Sequence, residues 1–173
     1  MTARRILLLR HAKSSWDEPG ASDYDRPLAP RGRRAAAVMG VYLRDEDFVP
    51  DLVLCSGARR ARETWDLVAH AFKRPPAIEH DTALYMATPD LLLKRLKKLP
   101  DAVRTVLFVG HEGGVDALAR RLAGNGAAPL RRRLAEKFPT AALAVLALEL
   151  ADWGALAEKS ATLTRLAAPK DLV

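Results

Sequence analysis

The chain has 173 residues, of which 49% are hydrophobic and 28% are charged, as is usual for one globular domain. Its 28 lysines and arginines outnumber its 21 aspartates and glutamates, and the net charge of +7 favours anionic partners. The single cysteine, Cys55, excludes an internal disulfide and suits a reducing cytoplasm, and the longest apolar run, residues 141–148, is too short to cross a membrane. We therefore expect one cytoplasmic domain over residues 1–173.

Predicted strands and helices alternate along the chain. Strands are predicted over residues 5–9, 52–55, 105–109, 140–150 and 162–166, with a short edge strand near Ile78. Helices are predicted over residues 30–46, 58–72, 88–99 and 115–123. Residues 124–126 are expected to end the last of these helices, and the last two strands are expected to pair antiparallel. The alternation predicts an α/β fold with a mostly parallel sheet covered on both faces.

Three of the predicted strands are followed by residues with related chemistry. The first ends in Arg10 and His11, the second is followed by the arginine-rich segment 59–62, and the third by Gly110 and His111. Ligands of open α/β sheets bind in the crevice outside the carboxyl ends of the strands. If these strands are neighbours, two histidines and at least two arginines converge on one crevice.

Two histidines and two arginines suit phosphoryl transfer. Guanidinium groups match phosphate oxygens with paired, charge-assisted hydrogen bonds, and such fixed donors supply most of the catalysis. A neutral imidazole is a competent nucleophile near neutral pH. The nearby arginines are expected to keep His11 neutral, because they disfavour the imidazolium form.

Several motifs together resemble one protein family. They are residues 7–14 (Leu-Leu-Leu-Arg-His-Ala-Lys-Ser), 26–32, 56–64, 84–85, 110–111 and 137–140. In this order they resemble the histidine phosphatase superfamily, and within it the small SixA-like branch of phosphohistidine phosphatases. The resemblance covers nearly the whole chain and implies a three-layer α/β/α sandwich with the phosphoglycerate mutase-like fold.

The resemblance also implies roles for four residues. His11 is the nucleophile that becomes phosphorylated, Arg10 and Arg60 bind the phosphate, and His111 hydrogen-bonds the transferring group. Arg59 does not match the second phosphate-binding arginine and is expected to face solvent or acidic partners. No metal ion or cofactor is implied.

The proton donor is the least defined part of the predicted site. Larger relatives carry a glutamate in a region where this chain has no clear equivalent, and Glu112 and Asp81 are the candidates. The branch usually has Asn-Pro after the second histidine, whereas Glu112 and Gly113 follow His111 here, which leaves the role of Glu112 open. The lack of a clear acid favours an N–P substrate, because an imidazole leaves without the proton donor that an alkoxide needs.

The sequence therefore predicts a metal-independent phosphatase that hydrolyses phosphohistidine on a signalling or phosphotransfer protein through a phosphohistidine intermediate. Phosphate esters of small metabolites remain an alternative substrate class. A non-catalytic module that binds phosphate or nucleic acid is a further alternative, although the sparse aromatic residues disfavour nucleic acid. A Cys-x5-Arg phosphatase loop is excluded because Ala61 occupies the position where the loop needs an arginine. A zinc site is disfavoured because His70 and His80 lack partners at zinc-ligand spacing. The physiological substrate and the oligomeric state are not predicted.

Overall fold

The computed structural model describes all 173 residues and contains seven strands and five α-helices. The strands are β1 (Thr2–Arg10), β2 (Leu52–Ser56), β3 (Ala77–Asp81), β4 (Thr105–Gly110), β5 (Ala123–Gly126), β6 (Leu143–Leu150) and β7 (Ala161–Ala167). The helices are α1 (Pro30–Asp45), α2 (Arg59–Ala69), α3 (Pro89–Lys97), α4 (Val115–Leu122) and α5 (Ala128–Glu136). No helix combines the length and the apolar composition that a membrane span requires.

The seven strands form one sheet in the order β3-β2-β4-β1-β6-β7-β5. Only β6 runs against the others, since it pairs antiparallel with both β1 and β7 while every other pairing is parallel. The predicted antiparallel pairing of the last two long strands is thus confirmed.

Buried side chains cover both faces of the sheet. Leu7 and Leu9 of β1 pack with the buried faces of α1 and α2, whereas Ile6 and Leu8 pack with α3, α4 and α5. This alternation follows from the two-residue side-chain period of a strand. It confirms the predicted three-layer α/β/α architecture with a mostly parallel sheet.

The segment predicted only to end a helix, residues 124–126, is also part of the edge strand β5. A Cβ atom at Gly124 would lie 1.9 Å from the carbonyl oxygen of Lys159, so only glycine allows the backbone to approach this closely. At Gly126, where φ is 133°, a Cβ atom would lie 2.7 Å from the carbonyl oxygen of Leu163 in β7. The glycines therefore permit strand pairing here rather than only ending α4.

The sheet order brings together the carboxyl ends of β1, β4 and β2. Arg10, the last residue of β1, is in register with Gly110, the last residue of β4. One residue further on, the His11 amide donates to the Gly110 carbonyl at 2.9 Å. Strand β2, on the other side of β4, ends at Ser56. The ends of the three strands therefore lie side by side, as expected from the sequence.

Candidate active site

His11 presents one unprotonated ring nitrogen to the site. Its Nδ1 lies 2.7 Å from the carbonyl oxygen of Ala12, and because a carbonyl can only accept, Nδ1 carries the proton. Nε2 is then unprotonated and accepts a hydrogen bond from Nε of Arg60 at 3.3 Å. The buried imidazole is thus held in the tautomer that can attack through Nε2.

A threonine hydroxyl joins the backbone that follows His11 to α2. Thr64 Oγ1 accepts from the Ala12 amide at 3.0 Å and donates to the Arg60 carbonyl at 2.7 Å. On the other side, the His11 carbonyl accepts from the Ala141 amide at 3.1 Å. These contacts fix the end of β1 relative to the first turn of α2, which carries Arg60.

Asp23 holds the guanidinium of Arg60. The buried Arg60 donates to the Asp23 carbonyl at 2.6 Å and to its carboxylate at 3.1 Å. The same carboxylate accepts from the Tyr85 hydroxyl and, at 3.1 Å, from Nε of Arg26. With the bond to His11, three of the five N–H donors of Arg60 are used, which leaves two for a bound anion.

The carboxyl group of Asp23 is ionised. The hydrogen bond from Tyr85, followed by the charge of Arg60, lowers its pKa to about 2. Arg26 also donates to Ser14 Oγ at 2.6 Å and lies 3.6 Å from the ring centroid of the exposed Trp16. The loop before α1 is therefore ordered by charge-assisted hydrogen bonds.

Arg10 is fixed by one backbone contact and one ion pair. One terminal nitrogen donates to the Phe138 carbonyl at 2.9 Å, and the other lies 3.4 Å from Oε2 of Glu112. Its Nε is buried and has no hydrogen-bond acceptor in the protein. Arg10 thus retains a buried donor that an anionic ligand can use.

His111 lies beside His11 at the end of β4. The ring centroids are 5.3 Å apart, and Nε2 of His111 lies 2.8 Å from Ser56 Oγ, which also accepts from the Ala58 amide. Only three buried side-chain nitrogen or oxygen atoms in the protein lack a partner, and Nδ1 of His111 and Nε of Arg10 are two of them. Buried polar atoms are normally paired, so this concentration marks a ligand site.

Burial keeps both histidines neutral. Burial, together with the smaller effect of the neighbouring positive charges of Arg60 and Arg10, lowers the pKa of His11 to about 3 and that of His111 to about 4. The neutral His11 expected from the sequence is confirmed, but burial rather than the arginines is the main cause.

Stability is therefore expected to fall in mild acid. Below pH 6.5 His11 and His111 become protonated in the unfolded chain but stay neutral in the folded protein. The free energy of unfolding therefore decreases towards pH 4, by up to about 1.4 kcal/mol per pH unit for each histidine. Urea unfolding between pH 8 and 5 measures this. His11→Asn is expected to flatten the profile, whereas His70→Asn, at an exposed position, is expected to follow the wild type. Identical profiles for His11→Asn and the wild type would contradict this.

The four principal residues predicted from the sequence meet in this site. Of the two candidate proton donors, only Glu112 contacts one of these four residues. Glu112 lies beside Arg10, whereas the Asp81 carboxylate accepts from the Ala83 amide at 2.8 Å and caps a short 3-10 turn. Asp81 makes no hydrogen bond or ion pair with the four site residues. The assignment of a proton donor therefore stays a prediction.

Sequence reasoning missed the residues that support the site. No local pattern singles out Asp23, which contacts Arg60, 37 residues away in sequence. Ser56 and Tyr85 lie in the family motifs 56–64 and 84–85, but the motifs gave neither residue a role of its own. Arg59 contacts Glu18 and Glu63, as expected for an arginine outside the site.

Comparisons with known proteins place the chain in a family. The sequence model of the histidine phosphatase superfamily (branch 1) matches residues 6–84. A solved structure from Agrobacterium tumefaciens, assigned as the phosphohistidine phosphatase SixA, is 31% identical, with a TM-score of 0.80 over 96% of this chain and 98% of that chain. The chain belongs to the histidine phosphatase superfamily. Within the superfamily it is SixA-like.

Two further relatives show the range of this similarity. The uncharacterized protein Rv1276c of Mycobacterium tuberculosis is 45% identical over 141 residues, which are 80% of this chain and 85% of that protein. An Escherichia coli protein assigned as an α-ribazole-5'-P phosphatase shares the fold at a TM-score of 0.69 and 20% identity, over 96% of this chain and 98% of that chain. Membership of the superfamily implies a phosphatase, and the fold does not by itself define the substrate.

Proposed function

We propose that the protein hydrolyses phosphohistidine carried by another protein, with His11 as the nucleophile. The observation that carries the proposal is the geometry of His11, whose Nδ1–H is held by a carbonyl while Nε2 lies 3.3 Å from Arg60. Arg10, Arg60 and His111 would hold the phosphoryl oxygens. No metal ion or cofactor is required by this chemistry.

The proposed reaction has two balanced steps. Nε2 of His11 attacks phosphorus, the N–P bond of the substrate breaks, and its electron pair returns to the leaving imidazole. Because a phosphohistidine protonated on its other nitrogen leaves as neutral imidazole, and phosphorylated His11 keeps its proton on Nδ1, this step transfers no proton. Water then attacks phosphorus, the Nε2–P bond breaks, and dihydrogen phosphate and neutral His11 are released.

The surroundings of His11 favour an N–P substrate over a phosphate ester. An alkoxide leaving group needs a proton donor. Asp23 is ionised, Asp81 caps a turn, and Glu112 is paired with Arg10. Transfer between two imidazoles needs no such group, so the arrangement matches phosphohistidine.

Comparing substrates tests this proposal. We expect kcat/KM for a purified phosphohistidine protein to exceed that for phosphate esters by about 10²-fold, the low end of what general acid catalysis contributes. The His11→Asn variant serves to subtract spontaneous hydrolysis. A higher kcat/KM for a phosphate ester would favour the metabolite alternative, and binding without turnover would favour the non-catalytic one.

A further inference from the structure

Glu112 places an exposed carboxylate next to the phosphate-binding Arg10. Its side chain is 66% exposed, and Oε2 lies 3.4 Å from a terminal nitrogen of Arg10. No hydrogen bond accompanies this ion pair. The carboxylate therefore faces both solvent and the arginine.

The second carboxylate of the site is engaged differently. Asp23 accepts hydrogen bonds from Arg60, Arg26 and Tyr85, so both of its carboxylate oxygens already have partners within the protein. Glu112 has only the pairing with Arg10. Among the carboxylates that contact the site arginines, Glu112 is thus the one that can meet a charge on an incoming substrate.

The charges of the site leave no cation to spare for a second anion on the substrate. Three guanidinium groups, Arg10, Arg26 and Arg60, face two carboxylates, Asp23 and Glu112, which leaves one net positive charge. A phosphohistidine protonated on its other nitrogen carries one net negative charge and balances it. A further anion on the leaving group would then lie unpaired near the exposed Glu112 carboxylate and be repelled, whereas a cation can pair with that carboxylate.

We propose that Glu112 determines specificity by favouring substrates with a positive charge beside the phosphoryl group and disfavouring those with a second anion there. For the proposed function, on which this inference rests, the preferred partner is a protein whose phosphohistidine is flanked by lysine or arginine. Glu112 also competes with phosphoryl oxygens for Arg10, so it weakens the binding of phosphate that lacks a nearby cation.

Two phosphohistidine peptides that differ only in a flanking lysine or glutamate test this proposal. We expect the wild type to prefer the lysine peptide in kcat/KM by about fivefold, as one charge pair near a surface allows, and Glu112→Gln to reduce the preference below about twofold. The preference of the wild type should shrink in high salt. Glu149→Gln is the matched control, because Glu149 is exposed and lies beside Ala3 at the far end of β1.

A binding measurement separates this inference from the proposed function. In the His11→Asn background, calorimetry compares 2-aminoethyl phosphate, which carries an ammonium group, with phosphoglycolate, which carries a carboxylate. We expect Glu112→Gln to weaken the first and strengthen the second, and to bind inorganic phosphate more tightly. If the peptides are not hydrolysed, the proposed function fails but this binding preference still tests Glu112. An unchanged preference in Glu112→Gln, in peptides or in binding, would overturn the inference.

Discussion

Replacing His11 by asparagine is expected to lower turnover of phosphohistidine substrates by at least about 10⁴-fold, as removal of a nucleophile does in other covalent enzymes. Asparagine can keep the hydrogen bond to the Ala12 carbonyl but offers no lone pair equivalent to Nε2. Initial rates, together with urea unfolding at pH 8, measure the effect. Turnover within tenfold of the wild type in a folded variant would exclude His11 as the nucleophile.

Replacing Arg60 by alanine is expected to lower kcat/KM by about 10³-fold, because charge on the transferring phosphoryl group then loses a fixed guanidinium donor. Arg60 is buried and contacts His11 directly, so no solvent-exposed arginine can take its place. Steady-state kinetics on the same phosphohistidine protein measure the loss.

The neighbouring arginine supplies the control for this experiment. Arg59 forms ion pairs with Glu18 and Glu63 on a partly exposed surface, and Arg59→Ala is expected to change kcat/KM by less than about threefold. Because removal of Arg60 also frees Asp23, the unfolding midpoint of both variants must be recorded. Equal losses of activity in the two variants would contradict the assigned role of Arg60.

The layers of the fold could be predicted because they depend on local patterns. Apolar runs of strand length identified β1, β2, β4 and β6, and capping residues located the start of α3 at Thr88, whose hydroxyl accepts from the Leu91 amide. The edge strand β5 could not be predicted, since its pairing depends on how closely Gly124 approaches Lys159 in space. The cluster of Arg131, Arg132 and Arg133 indicates a solvated helix face, but it gives no bounds for α5 because it interrupts the apolar positions.

The positions of Arg10, His11 and His111 could be predicted, but the residues that hold them in place could not. Arg10, His11 and His111 lie where predicted strands end, so their meeting follows from a parallel sheet. The bond between Asp23 and Arg60 joins a loop to a helix, and no local pattern indicates it. The effect of burial on the pKa of His11 likewise depends on packing, which is why the sequence pointed to the arginines instead.

Trapping the phosphorylated enzyme tests the central claim most directly. Brief exposure to a labelled phosphohistidine protein, followed by rapid quenching and peptide mapping, measures where the phosphoryl group is held. Labelling of the peptide that contains His11, stable in alkali and labile in acid, is the predicted result. Label that is stable in acid, maps elsewhere or persists in the His11→Asn variant would contradict the proposed mechanism.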